Sequence, residues 1–262
     1  SVTTGDGSCS AQRLILEPET GTELTVTSLN RSQGHPSYAG RLEILDTEEG
    51  LVLVNELPLE DYLKKVVPSE MPASYEKEAL KAQAVCARTY AYMQMKSNSY
   101  RSYGAQIDDS TQFQVYNNVE TDAKTTQAEQ ETYGKMLYYD GNPVTANYFS
   151  TSCGATGNQE VWWDGDQTAT PYLAGKTVDA AGEAVDLSKE EEFNAFLEAD
   201  HPDGYDADIS WYRWKTEIDN KTHSENLNQA LAGRIAANPN AVLTRLGSRL
   251  ESRTIKTIGQ IR

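Results

Sequence analysis

Glu70 stands between two prolines in the run Val67-Pro68-Ser69-Glu70-Met71-Pro72. A carboxyl held on a short, stiff connection can act as general acid and then base, if partial burial raises its pKa towards neutrality. Without further context Glu70 reads as a helix-breaking surface carboxylate, so position alone does not decide between the two. Asp108 and Asp109 are the nearest candidates for a second carboxylate. Cys153 beside Gly154 resembles a nucleophile, yet His35, His201 and His223 sit in unrelated polar stretches and nothing pairs any of them with the thiol. A small, half-buried thiol is the plainer reading. The run Ser150-Thr-Ser-Cys-Gly-Ala-Thr156 either brings backbone and hydroxyls close to a ligand or forms an ordinary loop.

The elements that must position these residues are legible from periodicity. Pro58 suits a helix start, and Leu59, Tyr62, Leu63 and Val66 make one apolar face. Pro68 is expected to end that helix, with Pro72 keeping Met71 out of the α region. A second helix is expected from Ser74 or Tyr75 to about Lys96, with Ser74 as N-cap and Glu76, Lys77 and Glu78 in its first turn. Ala79, Ala82, Ala84, Ala87 and Ala91 make it thin enough to be buried, so Gln83 and Arg88 on it need polar partners. Residues 1–54 read as short strands at Arg13–Leu16, Leu24–Thr27, Arg41–Leu45 and Leu51–Val54, the last two a hairpin. A further helix is expected from Asp122 to Thr132. A hairpin follows, with strands Met136–Tyr139 and Val144–Phe149 around an Asp140-Gly141-Asn142-Pro143 turn.

The later chain offers less. Ser188-Lys-Glu-Glu191 resembles a capping box before a short helix carrying Phe193, Phe196 and Leu197. Ser210–Trp214 reads as a strand, Ser224 as the cap of a helix Glu225–Ala237, and Asp179–Asp208 as a solvated acidic stretch. The net charge of −16 over 262 residues, with no basic cluster, excludes a phosphate-reading surface and hence nucleic acid as a partner. No apolar run approaches the length of a membrane span. The N-terminus SVTTGDGSCSAQ is not a signal peptide, so an exported protein is expected to appear here in mature form. Cys9, Cys86 and Cys153 are too few and too far apart for a disulfide framework or a CxxC metal site, and a Cys9–Cys153 bridge stays open.

PLEDYL, PSEMPASYEKEALKAQAVCARTYA, DDSTQFQVY and ANYFSTSCGATGNQEVW, in this order and spacing, resemble the SpoIID/LytB family. The long second motif is far more specific than a short glycine pattern. The resemblance runs from about Tyr38 to Trp163 and continues loosely through Pro171–Leu173, Tyr212–Trp214 and Ile258-Gly259. It implies an α+β fold in which helices pack on a mostly antiparallel sheet, with a second, smaller lobe. The expected division is 1–37 as a strand-rich extension, 38–163 as the catalytic core and 164–262 as the second lobe. Family sequences usually continue past this point with more strand-rich chain, so either the sequence is truncated at Arg262 or it departs from the family pattern.

The resemblance also implies a peptidoglycan lytic transglycosylase, which cuts the β-1,4 bond after N-acetylmuramic acid and leaves a 1,6-anhydro end, on strands without stem peptides. Glu70 would be its catalytic acid and base. Ser69, Met71, Gln83, Arg88, Thr111, Gln114, Tyr116, Tyr148, Ser150, Ser152 and Gly154 would line or shape the groove. One carboxyl suffices for such chemistry, because the sugar's own 6-hydroxyl attacks and an intramolecular attack replaces what a second residue would supply. A hydrolase would need a second carboxylate, for which Asp108 and Asp109 are the candidates. Some members bind zinc through Cys and His in the segment matching Ile107–Gln114; this chain has neither there, so no metal and no cofactor is expected. Trp162-Trp163 and the fifteen tyrosines suit either sugar stacking or core packing. The expected partners are glycan strands and a cell-wall amidase. The expected place is outside the cell, in the wall or on the membrane's outer face. Two rivals stand beside the enzyme reading: a non-catalytic wall-binding amidase enhancer, and a glycoside hydrolase of the same fold.

Overall fold

The computed structural model describes residues 2–4, 7–9, 12–31, 34–158, 170–178, 189–199 and 204–214, with isolated positions at 187 and between 219 and 233. The chain divides into two units, Ser1–Ser150 and Thr151–Arg262. The break falls within the small-residue run.

In the first unit, short runs rich in β-branched and aliphatic residues, separated by glycine and acidic turns, form most of the strands. β1 (Val2–Thr4) and β2 (Gly7–Cys9) pair with each other. β3 (Arg13–Leu16) lies antiparallel to β6 (Arg41–Thr47), which pairs in turn with β7 (Gly50–Glu56). β4 (Leu24–Thr25) and β5 (Ser37–Tyr38) form a separate ribbon. The β6–β7 hairpin turns at Glu48-Glu49, and Thr47 pairs with Gly50. β6 is covered on both faces: Leu42 and Leu45 are buried, and so is Glu43, which accepts from Arg13 at 2.7 Å and pairs with Arg41 at 3.1 Å. Chain entry into β6 requires Gly40 at φ +75°, because a Cβ there would sit 2.5 Å from the Glu56 carbonyl oxygen.

β7 feeds α1 (Leu59–Glu70), whose apolar face of Leu63, Val66 and Val67 is fully buried. α2 (Lys77–Gln94) packs against α1 and buries Leu80, Ala84, Ala87 and Ala91, of which Ala87 shares a cluster with Leu63 and Val66. α3 (Ala123–Glu131) closes against both, with Asp122 as N-cap accepting from the Lys124 N–H at 2.7 Å. The core joins Tyr38, Leu42, Leu63, Val66, Ala87 and Tyr116, so sheet residues and helix residues share one apolar cluster. The class is α+β, with antiparallel sheets throughout the described residues.

Several expectations change. α1 runs through Pro68 to Glu70 instead of stopping at the proline. The ring removes one N–H, but the Ser69 hydroxyl donates to the Lys65 carbonyl at 2.6 Å and the Met71 N–H to Val67 at 2.9 Å, so the last turn holds. α2 begins at Lys77, and its N-cap is Glu76 without a side-chain cap bond; Ser74 lies in the preceding turn, which Tyr75 N–H to Pro72 closes. β8 (Tyr138–Tyr139) and β9 (Asn142–Pro143) turn on Asp140-Gly141 alone, and 144–149 is not strand. Asp140 and Gly141 both take positive φ, 47° and 74°, which is the two-residue turn that Asp-Gly favours.

In the second unit α4 (Glu190–Glu198) buries Phe196, with Lys189 at its N-cap; Ser188 lies outside the described residues. Residues 210–214 form turn and bend, not the expected strand, because Tyr212 folds inward with its N–H bonded to Ile209 at 2.9 Å. Trp162-Trp163, Ile258-Gly259 and the helix after Ser224 fall wholly or mostly outside the described residues.

Candidate active site

Glu70 is the last residue of α1 and is half-buried. Its Oε1 accepts two hydrogen bonds, from the Val115 N–H at 2.7 Å and from the Tyr148 hydroxyl at 3.1 Å. One residue earlier, the Ser69 hydroxyl accepts from the Asn117 N–H at 3.1 Å. The segment 114–117 is thus strapped across the end of α1, and alternate main-chain donors hold the two side chains preceding Met71. Behind Tyr148 lies Gln114, which is fully buried. Its amide nitrogen donates to Tyr148 Oη at 3.0 Å and to the Ala87 carbonyl of α2 at 3.1 Å, and its Oε1 faces the Tyr62 hydroxyl at 3.3 Å. Tyr62 is stacked on Tyr116, ring centroids 5.5 Å apart and nearly parallel. Burial pushes the hydroxyls of Tyr148, Tyr62 and Tyr116 well above the ordinary tyrosine value, and the negative charge of Glu70 adds to this for Tyr148 and Tyr62. All three therefore stay protonated through the neutral range; Tyr148 and Tyr62 donate, while Tyr116 Oη has no partner among the described residues.

Of the expected site residues, the structure brings Ser69, Gln114 and Tyr148 together with Glu70, and Tyr116 joins them through Tyr62. Met71 follows Glu70 in extended conformation. Arg88 is buried at 1% exposure and turns to other carboxylates than Glu70: its guanidinium grips Glu60 of α1 at 2.7 and 2.8 Å and reaches the carbonyls of Glu129 and Lys135. Gln83 is buried on α2, with an amide nitrogen that has no hydrogen-bond partner among the described residues. Thr111 is exposed in the turn 109–113, and Ser150 is exposed at the end of the first unit.

Ser152 and Gly154 belong to the second unit. There Ser152 is held by Asp206, through its N–H and, at 3.1 Å, through its hydroxyl. Gly154 takes φ +99°, and a Cβ on it would meet the Tyr212 hydroxyl at 2.6 Å. Cys153 between them is an exposed free thiol, while the side chain of Cys9 lies outside the described residues.

Asp108 accepts from the Tyr100 hydroxyl at 2.5 Å and the Ser110 N–H at 2.8 Å, and Asp109 pairs with Arg31. Both carboxylates of the 107–114 segment are therefore engaged by donors, and the segment holds no Cys or His, so these residues do not fit a zinc ion. Tyr62, Val115 and Asn117 join the site without a signal in the sequence. The spacing of Tyr62 marks it only as part of the apolar face of α1. Val115 and Asn117 act through main-chain N–H groups, which no residue type announces.

Residues 47–139 match the family model described as "SpoIID: Stage II sporulation protein". Over 134 residues the chain is 43% identical to a "Stage II sporulation protein D" of Bacillus subtilis (strain 168), which covers 46% of this chain and 38% of that protein. A protein of the same name from Bacillus amyloliquefaciens is 40% identical over 134 residues, with the same coverage. An "Amidase enhancer" of Bacillus subtilis (strain 168) is 38% identical over 161 residues, 60% of this chain and 20% of that protein. The chain thus spans less than two fifths of the length of these curated relatives.

Proposed function

Since this chain belongs to the SpoIID family through residues 47–139, we propose that it is a peptidoglycan lytic transglycosylase in which Glu70 is the acid and base. The observation that carries this reading is the clamped, half-buried Glu70 at the end of α1, with Val115 and Tyr148 on one carboxyl oxygen. Protonated Glu70 gives its proton to the glycosidic oxygen as the bond from C1 of N-acetylmuramic acid breaks. The 6-hydroxyl of the same sugar then forms the new bond to C1 and returns a proton to Glu70. No water is consumed and the carboxyl ends as it began. Asp108 and Asp109, the candidates for a second carboxylate, accept from Tyr100 and Ser110 and pair with Arg31, and the one-carboxyl route calls on neither of them. The substrate is a glycan strand free of stem peptides, met on the outer face of the cell.

A second reading rests on the amidase enhancer, whose alignment with this chain is longer than that of the stage II proteins. In it the chain binds wall polymer and stimulates a cell-wall amidase without cutting glycan. Mass spectrometry of sugars released from peptide-free strands separates the readings. Anhydro-ended products from the wild type, and none from Glu70→Gln, are expected. Reducing ends would overturn the proposal in favour of a hydrolase. Strand binding without products from either protein would overturn it in favour of the enhancer.

A further inference from the structure

The donors and acceptors behind Glu70 can be oriented in only one way. The Ala87 carbonyl can only accept, so the atom of the Gln114 amide 3.1 Å from it is the NH2. Gln114 is fully buried, so no bulk water offers an alternative. The same NH2 lies 3.0 Å from Tyr148 Oη and donates to it, which leaves the Tyr148 proton to point at Glu70 Oε1. The amide oxygen is in turn met by the Tyr62 hydroxyl.

We propose that Tyr62, Gln114 and Tyr148 form a one-way hydrogen-bond relay that positions Glu70, keeping Oε1 a fixed acceptor and leaving Oε2 to carry the transferred proton. Oε1 already receives Val115 N–H and Tyr148 O–H, so a proton on that oxygen would face two donors. Oε2 receives neither. Tyr62 and Gln114 are positioning residues: they act through Tyr148 and touch no reacting atom. The relay's catalytic meaning rests on the transglycosylase reading, but its geometry does not.

The test is a carbon-13 titration of the Glu70 carboxyl in the full chain, its signal identified by its loss in Glu70→Gln. Tyr148→Phe removes a donor that favours the charged carboxylate, and the titration midpoint is expected to rise. Tyr62→Phe keeps the ring and its stacking on Tyr116, so folding is spared. The Ala87 carbonyl still holds the Gln114 NH2, so the amide keeps its orientation; its oxygen loses the Tyr62 donor, and the NH2 bond to Tyr148 is less polarised. A smaller rise is expected, because the Tyr62 link is the longest at 3.3 Å. The double variant should match Tyr148→Phe alone, since both changes cut one chain. An unchanged midpoint in Tyr148→Phe overturns the relay, as do an unchanged midpoint in Tyr62→Phe and rises that add in the double variant. The titration needs no turnover: failure to release anhydro sugars would sink the enzyme reading and leave the relay standing. Where the wild type is active, its pH–rate profile should move with the midpoint, a response that simple loss of folded protein would not produce.

Discussion

Glu129→Gln is expected to stabilise the protein above neutral pH and to flatten its pH dependence. Glu129 of α3 is 1% exposed and lies against Glu60 of α1, with the buried Arg88 of α2 beside both. Arg88 holds Glu60 with two bonds, but its nearest contact with a Glu129 carboxyl oxygen is 3.9 Å, and Glu129 Oε2 has no partner among the described residues. Lys64 and Arg88 both favour ionisation of Glu129, but Arg88 is committed to Glu60, and the less favoured carboxylate keeps its proton. Burial first, and then the Glu60 carboxyl, push Glu129 from its ordinary 4.5 up to about 7. Glu60 also loses water, but hydrogen bonds from Arg88 and Glu129 outweigh this and hold its carboxyl below the usual range. For a group whose value is raised on folding, the stability it contributes is fully present below the unfolded value. That stability is lost as the pH climbs through the folded value. The window here is therefore about 4.5 to 7 and slightly beyond. Taken alone the rise is worth about 3 kcal/mol; the opposite shift of Glu60 and solvent screening reduce this to on the order of 1 kcal/mol. Gln is isosteric, can still donate to Glu60, and cannot ionise. Urea titrations followed by far-ultraviolet circular dichroism, at pH 5 and pH 8, should show the wild type losing stability over that range and Glu129→Gln losing less. An equal loss in both proteins, or a variant weaker than the wild type at pH 8, would refute the shared-proton account.

Two further substitutions probe the supports of the site. Arg88→Ala leaves Glu60 and Glu129 without their cation in a buried cluster, and a loss of about 3 to 5 kcal/mol is expected in the same urea titration; a loss under about 1 kcal/mol would mean that the guanidinium is not what ties α1, α2 and α3. Gly40→Ala places a Cβ 2.5 Å from the Glu56 carbonyl oxygen and 2.8 Å from Leu57 Cβ at φ +75°. The expected cost is about 2 kcal/mol or more, read as a lowered thermal midpoint, and a midpoint equal to that of the wild type would count against so tight a passage of the chain into β6.

How much of this is legible in the sequence depends on how each residue acts. α1 and α2 can be read because their apolar positions repeat with the period of a helix, and the β6–β7 hairpin because its strands flank an acidic turn ending in glycine. The extent of α1 cannot be read, because Pro68 forbids only one N–H and adds a clash, while the turn beyond it still closes through the Ser69 hydroxyl to Lys65 and the Met71 N–H to Val67. Glu70 is legible through its motif. Arg88 stands out as a polar residue needing partners, but the partners are Glu60 and Glu129, whose own types and spacing look like an exposed helix face. The strap 114–117 is the instructive case. Gln114 and Tyr116 can be singled out by type, but Val115 and Asn117 hold Glu70 and Ser69 with main-chain donors that any residue other than proline would supply. A contact of that kind leaves no mark on composition or periodicity. It follows that substitutions at Val115 should be tolerated at the carboxylate so long as the backbone keeps its course, whereas Gln114, whose amide must both donate and accept, leaves no such latitude.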